Sequence, residues 1–456
     1  MVVLEWKYRQ RAGAIAACAV VGLGAWLWII SHRPPRAAGP LPQQAYVFQR
    51  DWIDTVRQAV LERGDAFSRL DILAAEISFH GDAIQTSTVA FDASAVRDSH
   101  RSIGLVLRIG PISSAAVDPF GADSAASKAI AAAARDAIAA AQRNQLPIDE
   151  FQIDFDCPDS RLTPFCNWVR MVQLAVAAQS PDHPIAVTIT ALPSWLNQTA
   201  FEPLARQAGS FVLQVHALHQ PVGPDSLSPL CDTAEARRDI ELASRVHVPF
   251  MVALPTYTYL AGFDAQGKLL GLLAESVDNP WPQATTWRTL RADPQALAAL
   301  VQSLAADRPP ELHGIIWYRL PVDSDQLNWR WPTLAAVMSG RAPAAHLTVT
   351  AQQVSTALWE FELTNLGDDD APLTDEVSIA WQTDAGLVAA DGLGGFTHVD
   401  DPRSHQVLLR PAGDTSSKLL PPGETRTVGW VRLSGSGSPT ASLGPIARDV
   451  AAGSGH

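Results

Sequence analysis

Between residues 45 and 332, short stretches in which every second position is polar alternate with longer stretches of helical periodicity. That alternation marks a parallel sheet whose strands are joined by crossover helices. Eight stretches read as strands: 46–50, 70–80, 103–109, 151–156, 185–191, 211–216, 250–255 and 314–319. The clearest helices between them are 125–142, 164–178, 234–244 and 294–305. The first of these is carried by alanine, the best helix former. Eight βα units in about 250–300 residues predict a (βα)8, or TIM, barrel. The alternative is a doubly wound open sheet, which would normally show a glycine-rich phosphate loop after its first strand. This chain has no such loop.

From residue 346 the pattern changes to strands without helices. Trp359, Phe361 and Leu363 alternate with Glu360 and Glu362, as in a half-buried strand, and 377–381, 406–409 and 425–433 read the same way. About 90 residues of this kind predict an all-β immunoglobulin-like sandwich. Ahead of the barrel, residues 12–30 are uninterruptedly apolar, with Lys7, Arg9 and Arg11 before them and His32, Arg33 and Arg36 after. That length predicts one transmembrane helix with its N-terminus inside. Ile15-Ala16-Ala17-Cys18 also fits a lipoprotein cleavage box, but the apolar run continues past Cys18. The expected organisation is an anchor and Pro-rich linker (1–44), a barrel (45–340), a sandwich (346–434) and a flexible tail (435–456). Such a chain would sit in a bacterial inner membrane with its folded domains in the periplasm.

Charge and composition then narrow the chemistry. The formal net charge of −13, with no basic run, argues against nucleic acid as a partner. The four cysteines, Cys18, Cys157, Cys166 and Cys231, lack zinc-ligand spacing, so neither a metal nor a cofactor is expected. Cys157 and Cys166 flank a short loop, and either a disulfide or two separate thiols fits there. Asp368-Asp369-Asp370 lacks calcium-loop spacing and reads as a solvated turn. No GxSxG elbow supports serine hydrolase chemistry.

The strand alternation locates a candidate site. In the fourth strand Gln152, Asp154 and Asp156 share one face, opposite Phe151, Ile153 and Phe155. Arg108, Gln214, His216 and Glu76 hold matching positions on the third, sixth and second strands. Apolar residues should face the helices, leaving the polar ones inside the barrel near its C-terminal mouth, where active sites of this fold lie. There Arg108 or His216 would balance the carboxylates; a purely structural ion-pair plug is the other reading. Trp (14) is as frequent as Phe (14), and many rings fall at strand ends: Trp52, Trp195, Tyr257, Tyr259, Trp317, Tyr318, Trp329 and Trp331. Rings with a polar edge suit stacking on sugars, so Trp195, Tyr257, Trp317 and Tyr318 are expected to bind substrate, with carbohydrate as the partner. After the seventh strand, residues 256–289 form a long insertion with a hairpin near Gly267, placed to overhang the mouth.

Gln152-Ile153-Asp154-Phe155-Asp156-Cys157-Pro158 resembles the fourth-strand signature of chitinase-like family 18 glycoside hydrolases. The chain is also similar, over most of 45–332, to a bacterial family of unknown function with a glycosidase-like barrel. Leu73-Ala74-Ala75-Glu76 and Thr188-Ile189-Thr190-Ala191-Leu192-Pro193-Ser194-Trp195 carry that second likeness. The resemblance implies that Asp154 and Asp156 match two carboxylates of the hydrolase motif, while the catalytic glutamate's position holds Pro158. On this reading Asp156 is the acid, Asp154 its modulator and Glu76 the opposing carboxylate. Three functions stay open: a glycoside hydrolase acting on a polysaccharide, a glycan-binding barrel without catalysis, and a structural envelope protein.

Overall fold

The computed structural model describes residues 35–445, apart from 82, 113–117, 227, 275–280, 383, 402–404, 414–418 and 436. The apolar run 12–30 and Cys18 lie outside the described residues. Among the described residues, no helix is long and apolar enough to cross a membrane.

Eight parallel strands close into a barrel: β1 (Gln43–Val47), β2 (Arg69–His80), β3 (Ser102–Ile109), β4 (Ile148–Phe155), β5 (Ala186–Ala191), β6 (Phe211–Gln214), β7 (Phe250–Pro255) and β8 (Leu312–Tyr318). Closure is made by β1, which pairs with β2 on one side and with β8 on the other, Gln43 opposite Ile315 and Ala45 opposite Trp317. A helix follows each strand: α1 (Asp54–Arg63), α2 (Ala93–Asp98), α3 (Ala125–Arg143), α4 (Leu162–Gln179), α5 (Phe201–Ala208), α6 (Thr233–Ala243), α7 (Pro294–Ala306) and α8 (Trp331–Met338).

Local sequence sets where these helices begin and stop. The side chains of Asp92, Ser124, Asp232 and Asp293 accept from backbone N–H groups in the first turns of α2, α3, α6 and α7. Each such cap is worth about 1 kcal/mol. Gly209, at φ +83°, ends α5 in the left-handed conformation that glycine adopts without strain. Strand residues of one parity, such as Phe151, Ile153 and Phe155 on β4, are fully buried among the helices.

Two antiparallel insertions rise above the C-terminal ends of the strands. The strand Ala83–Thr88 folds back on the upper half of β2. After β7, the strands Thr258–Phe263, Leu269–Leu273 and Thr286–Arg291 form a three-stranded sheet with its own small core of Ala261, Phe263 and Leu290. Its first turn is held by Asp264, whose carboxylate accepts from the N–H groups of Gln266 and Lys268 at 2.9 Å.

The C-terminal region is a β-sandwich of two four-stranded antiparallel sheets. One orders Leu347–Ser355, Leu358–Asn365, Thr425–Ser434 and Gly386–Gly392; the other orders Phe396–Asp401, Gln406–Pro411, Asp375–Ala380 and Thr440–Pro445. Phe361, Leu363, Val377, Ile379, Val407, Leu409 and Val431 fill the space between them. Two sequence expectations need correcting here. Thr440–Pro445 pairs along Asp375–Ala380, so the sandwich runs past residue 434 into what read as a flexible tail. Asp368-Asp369-Asp370 is no solvated turn but the joint with the barrel. Arg291 lies 3.2 Å from Asp369 and 3.0 Å from Asp370, Asp368 pairs with Arg341, and Gln295 donates to Asp369 at 2.6 Å. Cys157, Cys166 and Cys231 are free thiols, so the short loop is not closed by a disulfide.

Candidate functional site

The interior of the barrel is layered, and β4 shows the layers in order. At the base Glu150 meets Arg69 at 2.8 Å and accepts from the Thr188 hydroxyl at 2.7 Å. Arg69 also donates to Asp71 at 3.0 Å and to Gln44 at 3.0 Å. Burial pushes the Asp71 carboxyl up to about 7, against the pull of Arg69. Gly104 lies directly against it, and a Cβ there would fall 2.0 Å from Asp71 Oδ1. One layer up, the Tyr46 hydroxyl donates to Gln152 at 2.6 Å. Higher still, Asp154 accepts from Thr190 at 3.0 Å, and the Arg108 guanidinium stands 3.9 Å away.

Above this third layer lies a cavity of about 310 Å³. Its polar wall is Arg108, Asp154, Asp156, Thr190, Gln214 and His216; Tyr46, Phe48, Tyr257, Tyr259 and Tyr318 make the aromatic one. The rings form a continuous cluster. Tyr318 sits 5.8 Å from Tyr46, 5.1 Å from Phe48 and 5.5 Å from Tyr257, and His216 stacks on it at 5.8 Å.

Burial raises the Asp154 carboxyl to about 6; Arg108 opposes the shift and Asp156 adds to it. Asp156 stands exposed at the rim, just past the end of β4, and is also shifted upward by desolvation against Arg108. His216 is buried and driven down to about 3, so it is neutral and, of the two groups expected to balance the carboxylates, supplies no charge. Its Nδ1 lies 3.2 Å from the Tyr257 hydroxyl instead. Arg108 is thus the cation that faces Asp154.

Of the residues expected to form the site, Asp154, Asp156, Arg108, Gln214, His216, Tyr257 and Tyr318 surround this one cavity. Glu76 lies to the side of it and is held by Arg50 through two hydrogen bonds of 2.7 and 2.8 Å. Trp195 and Trp317 are corrections. Trp195 is fully buried between Phe165 and Phe201, its indole N–H donating to the Cys157 carbonyl at 3.1 Å. Trp317 is fully buried beside Trp329 and donates to Gln43 at 2.7 Å. Both rings are packed within the barrel wall and neither lines the cavity. The reading of the sequence missed Tyr46, Phe48 and Thr190. The signal was present for the first two, since Tyr46, Phe48 and Arg50 share the parity that Val47 and Gln49 lack.

A second cavity, of about 500 Å³, opens at the opposite end of the barrel. Glu150, Thr188, Gln44, Arg308, Ser210 and His313 are its polar lining, among Phe211, Phe250, Met251 and Leu312. Its carboxylate is already satisfied by Arg69 and Thr188. Among the described residues there is no group of three or more His, Cys, Asp or Glu that could hold a metal ion.

No curated protein matches the sequence significantly. Solved structures similar to this chain include the spore cortex-lytic enzyme SleL of Bacillus megaterium, at 11% identity and a TM-score of 0.45 over 67% of this chain and 75% of that one. Chitinase ChiA74 of Bacillus thuringiensis is similar at 9% identity and a TM-score of 0.43, over 89% of this chain and 100% of that one. A family 18 N-acetylglucosaminidase from Paenibacillus barengoltzii is similar at 14% identity and a TM-score of 0.44, over 66% of this chain and 99% of that one. At these identities and scores the likeness says nothing about the reaction. Residues 122–323, from just before α3 to just beyond β8, match the model of the family described as Domain of unknown function (DUF3142).

Proposed function

We propose that the barrel acts on a polysaccharide at its mouth, with Asp154 as the proton-carrying carboxyl. The observation that carries this reading is a carboxyl raised to about 6 at the floor of an aromatic-walled cavity. A carboxyl near neutrality is protonated often enough to donate to a leaving glycosidic oxygen and is basic enough to recover the proton. In that step the bond from the anomeric carbon to the leaving oxygen breaks, the oxygen takes the Asp154 proton, and water adds to the anomeric carbon and returns a proton to Asp154. Asp156, exposed at the rim, would face the developing positive charge. Asp154 takes the acid's role in place of Asp156 because it is the deeper of the two and its shift is the large one. Tyr318, Tyr257 and Tyr46 offer ring faces for a sugar, and Arg108 and Gln214 offer donors for its hydroxyls.

A second reading is glycan binding without cleavage. Two observations favour it: Pro158 stands where the hydrolase motif has its glutamate, and Glu76 is engaged by Arg50 and so is poorly placed as an opposing carboxylate. In both readings the run 12–30 holds the protein in a bacterial inner membrane, with the barrel and an immunoglobulin-like sandwich in the periplasm.

The test is a glycan array probed with the full chain, followed by assay of new reducing ends, wild type beside Asp154→Asn. Cleavage by the wild type alone, falling about tenfold per pH unit above roughly pH 6, is the expected result. Binding by both proteins without new reducing ends would establish the second reading. No binding by either would remove both.

A further inference from the structure

We infer that the base of the barrel is pressed against the membrane surface and that the mouth is turned away from it. The inference rests on the anchor reading of residues 12–30 and adds an orientation to it. The chain enters β1 from the base, since every barrel strand begins there. Ahead of β1, residues 36–42 do not dangle but lie as a strap across that end. Arg36 forms four hydrogen bonds, to Glu241 of α6 at 2.8 and 2.9 Å and to Asp307 after α7 at 2.7 and 3.0 Å. Ala37 and Arg308 exchange backbone hydrogen bonds of 2.8 and 3.0 Å. The Gly39 N–H donates to Ala305, its carbonyl accepts from the Arg308 side chain at 2.7 Å, and the Pro42 carbonyl accepts from the N–H of Ile315 on β8.

The strap fixes the point at which the polypeptide leaves the folded body. From Arg36 back to Ile30, the last apolar residue of the run, there are only six steps of chain. Fully extended, they reach about 20 Å. A barrel on so short a tether, gripped at its base, cannot invert. The mouth lies further out by the height of the barrel, roughly 20 Å for tilted strands of this length. The ligand of the mouth is therefore a sugar chain held away from the bilayer, and the surface that the base meets is a layer of lipid headgroups.

The test places one fluorophore at each end of β5 in the full chain, with Cys18 and Cys166 replaced by serine. Asp182→Cys labels the exposed loop before the strand and Asn197→Cys the exposed turn after it. Both proteins are reconstituted in phosphatidylcholine–phosphatidylglycerol vesicles that carry a short-range acceptor on the headgroups. Energy transfer at least twofold greater from position 182 than from position 197 is expected. A ten-residue Gly/Ser insertion between Pro35 and Arg36 should abolish the difference. Equal transfer from the two positions, in protein that floats with the vesicles, would overturn the orientation and leave the anchor standing. Protein that does not float with the vesicles would overturn the anchor, and the orientation with it.

Discussion

At the base of the barrel Arg69 reaches Asp71, Glu150 and Gln44 within 3.0 Å, and all but Gln44 are largely withdrawn from water. At the mouth Arg108 comes no closer than 3.9 Å to Asp154, and about two-fifths of its side chain stays exposed. The same residue types, on neighbouring strands of one sheet, therefore do different work. The base gives Glu150 and one oxygen of Asp71 close partners, although burial still pushes the Asp71 carboxyl up to about 7 and its other oxygen has no hydrogen-bond partner. The mouth leaves one carboxyl under-compensated, raises a second and keeps an imidazole neutral, as expected of a site whose remaining partner is a ligand.

Four substitutions would break or sharpen this contrast. Arg69→Met should have the largest effect, destabilising the fold by about 3–5 kcal/mol in urea titrations near neutral pH, because it strands Glu150 and Asp71. A loss below about 1 kcal/mol would mean the base is no better paired than the mouth. His216→Gln comes next. The wild-type imidazole stays neutral in the fold down to about 3, whereas in the unfolded chain it takes up a proton below about 6.5. Stability contributed by this group is therefore lost as pH falls below 6.5, by about 3 kcal/mol at about pH 4.5, and the variant should escape that loss.

Asp154→Asn should act in the opposite sense. Its folded-state value of about 6 lies above the ordinary carboxylate value, so the wild type carries a penalty that is absent below about pH 4, grows as pH rises to 6 and is constant above it. Removing the charge should raise stability by about 3 kcal/mol at pH 7.5 and by nothing at pH 3.5, measured by thermal unfolding at both. Destabilisation at pH 7.5 would show that Asp154 is structurally paired like Glu150. Arg108→Met should have the smallest effect on stability, under about 1 kcal/mol, while abolishing retention on any glycan that the wild type binds.

How much of this was legible in the sequence followed from how local each signal is. Asp154, Asp156, Arg108 and Gln214 were found by parity along a strand, because the side chains of a strand must alternate between the barrel interior and the helices. Trp317 was misplaced by ignoring that rule, since it is adjacent to Tyr318 and must point the other way. Trp195 lies beyond β5 in a 3-10 turn, where parity no longer applies. Other facts are non-local and no pattern encodes them. Glu76 is engaged by Arg50, 26 positions away, across the seam between β1 and β2. Asp369 looked exposed because a turn of the sandwich alone would be; Arg291 and Gln295 of the barrel cover it. The choice between Arg108 and His216 as the balancing cation stayed open because the depth of His216's burial is a property of the assembled mouth.

The pairing of β1 with β8 has a consequence for how the molecule comes into being. Gln43 and Ile315 are hydrogen-bonded neighbours in the sheet, yet 272 positions separate them along the chain. During synthesis β1 emerges first and can pair at once with β2, but its other edge must wait until β8 has been made. Contacts of such sequence separation carry a large loop-closure cost and make folding slow. Until then the growing sheet has two open edges, at β1 and at the newest strand, each able to pair with another chain. A nascent chain stopped before residue 312 would remain in that state, so closure of the ring, more than formation of any single βα unit, is the step at which aggregation and folding compete.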